Sequence, residues 1–175
     1  MNYLAQPAHA CHGTLRVPGD KSISHRSIML GSLADGITEV TGFLNGADCL
    51  ATARAFAQMG IQIETISPTH LRIHGRGLHG LSAPNTPLDV GNSGTSMRLM
   101  SGILAAQVFD SCLIGDASLT KRPMRRVTTP LMQMGAKIET SPNGTAPLRI
   151  FGGQALRGIT YDSPVVSAQV KSCLL

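Results

Sequence analysis

The chain has 175 residues, enough for one well-cored domain or two small ones. Its apolar fraction is 42% and its charged fraction 14%, which excludes a disordered chain. The net charge of +5 raises nucleic acid as a partner, but the cations are scattered apart from Lys121-Arg122 and Arg125-Arg126. With no Trp, two Tyr and four Phe there is little surface on which bases could stack, so small anions are the better match. No apolar run reaches the roughly 20 residues that cross a bilayer. The first residues also lack the basic-then-apolar pattern of a secretory signal, so a cytoplasmic protein without a membrane partner is expected. Cys11, Cys49, Cys112 and Cys173 lie far apart with no C-x-x-C pair, the pattern of reduced thiols. His9, Cys11 and His12 lack a second ligand pair, so no metal site is expected.

In chain order, Thr14–Val17 alternates like a strand and is broken by Pro18-Gly19. Ser22 or Ser24 is placed to cap a helix running to Leu33, which Asp35-Gly36 ends. A strand over Ile37–Thr41 follows, then a helix from an Asp48 cap to Met59, terminated by Gly60. Strands over Ile61–Thr65 and His70–Ile73 are joined by a Ser-Pro turn. The Gly-rich loop at Gly91 leads into a helix over Thr95–Gln107, then a strand over Ser111–Gly115. Lys121-Arg122-Pro123 opens the next helix, Gly135 closes it, and strands follow over Ala136–Thr140 and Leu148–Phe151.

These elements repeat. Met59–Thr65 and Met134–Thr140 both read M-G-x-x-I-E-T, and each is followed by a turn and L-R-I. Gly19–Arg26 and Gly91–Arg98 share Gly, Ser and Arg in the same order. The chain is therefore an α/β protein of β-α-β-α-β-β units. A third unit begins at Ser167-Ala168-Gln169-Val170-Lys171 and breaks off at Leu175 in an uncapped apolar pattern, so it is expected to be cut in mid-helix.

Three helix N-termini fed by loops of small residues suit anions, because free N–H groups and the positive dipole end gather there. Lys21, Ser22 and Arg26 share one helix face. The bland alternative is a set of capped helices with solvated arginines, and Arg98 fits it best, paired with an internal carboxylate. Basic residues at a helix N-terminus oppose the dipole, which favours Arg122 as a ligand contact and leaves Arg125 and Arg126 as surface charges. Asp20, Asp48 and Asp116 are read as capping residues.

Taken together, P-G-D-K-S-I-S-H-R at Pro18–Arg26, G-N-S-G-T-S-M-R at Gly91–Arg98, K-R-P-M at Lys121–Met124 and S-A-Q at Ser167–Gln169 resemble the signatures of the 5-enolpyruvylshikimate-3-phosphate synthase family, in that family's order. The sister family acting on UDP-N-acetylglucosamine carries Lys-Asn where this chain has Lys21-Ser22. The resemblance implies the inside-out α/β barrel fold of enolpyruvyl transferases, with an incomplete N-terminal domain. Residues 1–16 would be a leader and strand crossing to the other domain, and residues 17–175 two complete units and the start of a third. It implies transfer of an enolpyruvyl group from phosphoenolpyruvate to the 5-hydroxyl of shikimate 3-phosphate. Lys21, Ser22, Arg26, Ser167 and Gln169 would contact shikimate 3-phosphate. Lys21, also catalytic, Asn92, Gly94, Arg122 and Gln169 would contact phosphoenolpyruvate. It calls for no cofactor, names the missing C-terminal part of the enzyme as partner, and leaves the acid–base carboxylates there, so this portion is expected to be inactive alone. Two positions depart from the family: Ala168 replaces a serine of some members, and Leu99 a proline usual in plant and enteric ones. A non-catalytic module binding an anion or RNA end on the same repeats is the alternative.

Overall fold

The repeat appears in three dimensions as two sheets that share a three-strand antiparallel pattern, to which the second adds one parallel strand. A computed structural model describes residues 3–4, 6–7, 10 and 12–175. His9 and Cys11, two of the residues weighed for metal, lie outside the described residues. Strands β1 (Asp35–Thr41), β2 (Gln62–Ser67) and β3 (His70–Arg76) form an antiparallel sheet in the order β1-β3-β2. Strands β4 (Leu88–Asp89), β5 (Ser111–Ile114), β6 (Lys137–Glu139) and β7 (Leu148–Phe151) form a second, in the order β4-β5-β7-β6. There β4 runs parallel to β5 and the other pairs are antiparallel.

The repeated sequence sets the repeated register. In the first unit Ile63 lies opposite Ile73 and Glu64 opposite Arg72; in the second Ile138 lies opposite Ile150 and Glu139 opposite Arg149. Gly60 and Gly135 precede these strands with φ of +89° and +109°, a region open to glycine. Both complete the same helix terminator. Ile61 N–H bonds Phe56 O at 3.1 Å and Ala136 N–H bonds Leu131 O at 3.0 Å, satisfying carbonyls that the helix ends leave free.

The helices are α1 (Lys21–Leu33), α2 (Ala47–Gln58), α3 (Gly94–Ala105), α4 (Arg125–Gln133) and α5 (Ala168–Leu174). Helix α3 packs against α1, α2, α4 and α5, and its Met97, Met100 and Leu104 are fully buried. Phe43, Phe56 and Ile73 of the first unit join Leu113, Leu148 and Ile150 of the second in one core. Each such side chain contributes about 1.5–3 kcal/mol on burial, so the units stand or fall together. Among the described residues no helix is long and apolar enough to cross a membrane.

Four local expectations are corrected. Thr14–Val17 forms no strand; Leu15 and Val17 are exposed, and alternation without a neighbouring strand leaves the backbone groups to water. The cap of α1 is Asp20, whose Oδ1 accepts from Ile23 N–H at 2.7 Å, in place of Ser22 or Ser24. Helix α2 starts after Gly46 with no side-chain cap, because the Asp48 carboxylate is turned to Lys21. Finally, Lys121 ends a short 3-10 turn (Leu119–Lys121), Arg122 is extended, and α4 begins only at Arg125. Arg122 precedes Pro123, whose ring excludes it from helical backbone angles. The residues opposing the α4 dipole are thus Arg125 and Arg126.

Candidate anion site at the helix N-termini

The loop before α1 is pinned by its own chemistry. A Cβ on Gly19 would fall 1.9 Å from Gly42 O, so only glycine lets this strand of backbone lie against Gly42–Leu44. Ser24 Oγ donates to Asp20 O at 2.7 Å and accepts Leu44 N–H at 2.9 Å. On this platform Lys21 and Ser22 are exposed, and Lys21 pairs with Asp48. Arg26, half-buried, donates to Ser22 O at 3.3 Å and to Ser172 Oγ of α5 at 2.7 Å.

The second loop gathers a separate set of groups. Ser93 caps α3 by accepting Ser96 N–H at 3.1 Å, which leaves Asn92 exposed on one side and Gly94 buried on the other. Asn92 Oδ1 accepts from Arg122, and its Nδ2 donates to Asp116 at 2.7 Å. Asp116 also accepts the N–H groups of Leu119 and Ser118 at 2.8 and 2.9 Å, which ties it to the start of the 3-10 turn, although the N-cap position there is Ser118. Hydrogen bonds from Asn92 and Leu119 hold its carboxyl below the ordinary value.

Gly94 is the point where the cations converge. A methyl there would stand 2.9 Å from one Arg98 guanidinium nitrogen and 3.2 Å from one of Arg122. Arg98 is 8% exposed, and its pKa is lowered by burial and by the charges of Arg126 and Arg122. The carboxylate partner expected for Arg98 is not there: among the described residues none lies within ion-pair distance of Arg98 or Arg122. Instead Arg98 donates to Gln169 Oε1 at 2.8 Å, and Gln169 Nε2 donates to Thr95 at 3.0 Å. Its Nε is buried without a partner. Arg98 and Arg122 thus meet at Gly94 with no carboxylate in ion-pair reach of either among the described residues, and Asp116 feels the Arg122 charge only from beyond that reach. An anion at Gly94 would relieve the pair.

The expected residues therefore fall into two neighbouring groups. Asn92, Gly94, Arg122 and Gln169 are joined by contacts through Arg98 and Gly94; Lys21, Ser22 and Arg26 share α1. Ser167 sits at the start of α5, where its Oγ takes Val170 N–H at 3.4 Å as the helix cap. Reading the sequence undervalued Arg98, although the repeat aligns it with Arg26, and it missed Thr95 and the influence of Arg126. No group of three or more His, Cys, Asp or Glu able to hold a metal occurs among the described residues.

The sequence model of EPSP synthase (3-phosphoshikimate 1-carboxyvinyltransferase) matches residues 5–175, which carry both loops and α5. The chain belongs to the EPSP synthase family. The 3-phosphoshikimate 1-carboxyvinyltransferase of Methylococcus capsulatus is 65% identical over 173 residues, covering 99% of this chain and 40% of that protein. That of Xanthomonas campestris is 60% identical over 174 residues, again with 99% and 40% coverage. The solved EPSP synthase of Acinetobacter baumannii superposes with a TM-score of 0.91 at 59% identity, over 93% of this chain and 37% of that one. This EPSP synthase family chain thus spans about 40% of the length of the curated relatives it matches.

Proposed function

We propose that this chain carries the shikimate 3-phosphate site and part of the phosphoenolpyruvate site of an enolpyruvyl transfer in the shikimate pathway. In that reaction the 5-hydroxyl of shikimate 3-phosphate adds to C2 of phosphoenolpyruvate while C3 takes a proton, and phosphate then leaves. The single observation that carries the reading is the pair of guanidinium groups that meet at Gly94, neither of them ion-paired to a carboxylate among the described residues. They suit the carboxylate and phosphate of phosphoenolpyruvate, and the glycine leaves space for the ligand to approach. Lys21, Ser22, Arg26 and Ser167 serve the shikimate phosphate side, Asn92 and Arg122 the phosphoenolpyruvate side, and Gln169 both. Lys21, on the rim with only Asp48 as partner, reaches both substrates and neutralises charge as phosphate departs. Asp20, Asp48 and Asp116 are all engaged in caps or pairing. The family resemblance assigns the acid–base carboxylates to the remaining length of the relatives, outside the 40% that this chain covers, and the reaction to the cytoplasm.

Calorimetric titration of this chain with each substrate tests the assignment. Arg122→Ala is expected to weaken phosphoenolpyruvate by about tenfold or more, the size of a lost charge-assisted hydrogen bond, and shikimate 3-phosphate by less than about twofold. Equal losses for both would refute it. The chain alone is expected to release no phosphate from the two substrates, and measurable release would overturn the division of labour.

A further inference from the structure

Beneath the two loops runs a line of buried polar side chains, of which only Ser93 has an evident role, as the cap of α3. His25 Nδ1 lies 2.8 Å from Thr52 Oγ1, Thr52 Oγ1 lies 2.6 Å from Ser96 Oγ, and Ser96 Oγ lies 2.6 Å from Ser93 Oγ. His25, Thr52 and Ser96 are fully buried and Ser93 is 1% exposed. The line starts on α1, one turn after Lys21 and beside Arg26, crosses α2, and ends between Asn92 and Gly94.

Hydrogen positions along it follow by elimination. Ser93 Oγ already accepts Ser96 N–H as the cap of α3, and Ser96 donates its hydroxyl to the same oxygen. Thr52 Oγ1 lies 3.4 Å from Asp48 O but 2.6 Å from Ser96 Oγ, so its proton goes to Ser96, whose own proton is committed. Thr52 Oγ1 is left as an acceptor, which requires the proton of His25 on Nδ1. His25 Nε2 is thereby the bare, aprotic nitrogen, and it is the ring atom buried without a partner. That is the cheaper arrangement, because an orphaned N–H is costlier than an orphaned acceptor. Every bond in the line points from α1 toward the second loop.

We propose that His25 is a positioning residue, which sets the Asn92–Gly94 loop relative to Lys21 and Arg26 through this one-way hydrogen-bond relay. The proposal rests on the functional reading above for what the loops hold, but not for the relay itself. Apolar packing alone does not fix the register of α1 on α3 to hydrogen-bond precision, whereas a directed chain of short bonds does. His25→Asn keeps an N–H donor near the position of Nδ1, and His25→Leu removes it at similar volume.

The test uses the 175-residue chain labelled with ¹⁵N. Ring nitrogen signals should place the His25 proton on Nδ1. His25→Leu should displace the Asn92 and Gly94 amide signals and raise the Kd for phosphoenolpyruvate about five- to tenfold. His25→Asn should restore both to within about twofold of the parent. A proton on Nε2, unmoved loop amides, or equal losses in the Asn and Leu variants would each overturn the proposal. A lowered melting temperature alone, with the loop signals in place, would assign His25 to the core. If the parent chain binds no phosphoenolpyruvate, the functional reading fails, while tautomer and amide positions still decide the relay. If His25→Leu does not fold, Thr52→Val cuts the relay one link further on and is read in the same way.

Discussion

Helices α3 and α5 cross at Gly102, and that crossing holds Gln169 in the site. A methyl group on Gly102 would stand 2.1 Å from Cys173 O, 3.1 Å from its carbonyl carbon and 3.3 Å from its Sγ. Relaxed C–H···O contacts are about 3.3–3.6 Å, so Gly102→Ala forces α5 back by more than about 1 Å. The bonds from Gln169 to Thr95 and Arg98, at 3.0 and 2.8 Å, do not survive that retreat. Overpacking of this kind costs about 1–3 kcal/mol, and the better helix propensity of alanine returns at most about 1 kcal/mol. The clash wins. A 2.1 Å clash with a backbone oxygen belongs at the upper end of that cost, so the net loss is about 1–2 kcal/mol and lowers Tm by roughly 2–8 °C for a chain of this size. Thermal unfolding followed by circular dichroism reads the global loss, and amide exchange reads the loosening of α5. Gly31→Ala in α1 is the control. Its methyl would meet Ile73 Cδ1 at 3.2 Å, the end of a side chain, and Thr38 Cβ at 3.3 Å. A shift of a few tenths of an ångström relieves these contacts and the better helix propensity of alanine offsets them, so its stability stays within about 0.5 kcal/mol of the parent. A higher Tm for Gly102→Ala, or α5 amides protected as in the parent, would refute the reasoning.

Three further outcomes are expected. Lys21→Met removes an ion pair in which Lys21 is 51% exposed, so unfolding should shift by less than about 1 kcal/mol, while activity in the completed enzyme is lost; retained activity with a large stability loss would contradict its role. Burial pushes the Cys173 thiol up to about 12 and raises Cys49 and Cys112 as well, so among these three iodoacetamide at about pH 8 should label Cys112 first, because it alone of the three is half-exposed, as mass mapping will reveal. Desolvation, helped by Lys21 and Arg26 and opposed by Asp48, lowers the His25 pKa below its ordinary 6.5. As pH falls through that value the unfolded chain takes up a proton that the fold resists, so stability present above it declines. His25→Asn should flatten the dependence of the urea midpoint on pH between about 7 and 5; an unchanged slope would show that His25 does not contribute.

Much of this protein is legible in its sequence because the forces concerned act over a few residues. The M-G-x-x-I-E-T repeat announced two like units, and it worked because glycine φ freedom and strand alternation are local properties; the structure returns the same terminators and the same Ile–Ile and Glu–Arg register twice. The loop motifs carried the resemblance to the family, which is a likeness of sequence and no consequence of local forces. The proline rule at Arg122-Pro123 was as local as the repeat and was missed, which moved the start of α4 from Lys121 to Arg125.

Other features required the tertiary fold. Thr14–Val17 alternates like a strand, yet a strand exists only where another lies beside it. Arg98 looked like a residue with an internal carboxylate, and only the crossing of α3 and α5 shows that its partner is Gln169, with the charges of Arg126 and Arg122 nearby. The line from His25 to Ser93 joins residues from three helices whose spacing in sequence carries no mark of contact. Backbone conformation follows from near neighbours, and sequence determines it directly. Which buried side chains meet depends on how helices cross, and that was decided by packing the two units into one core.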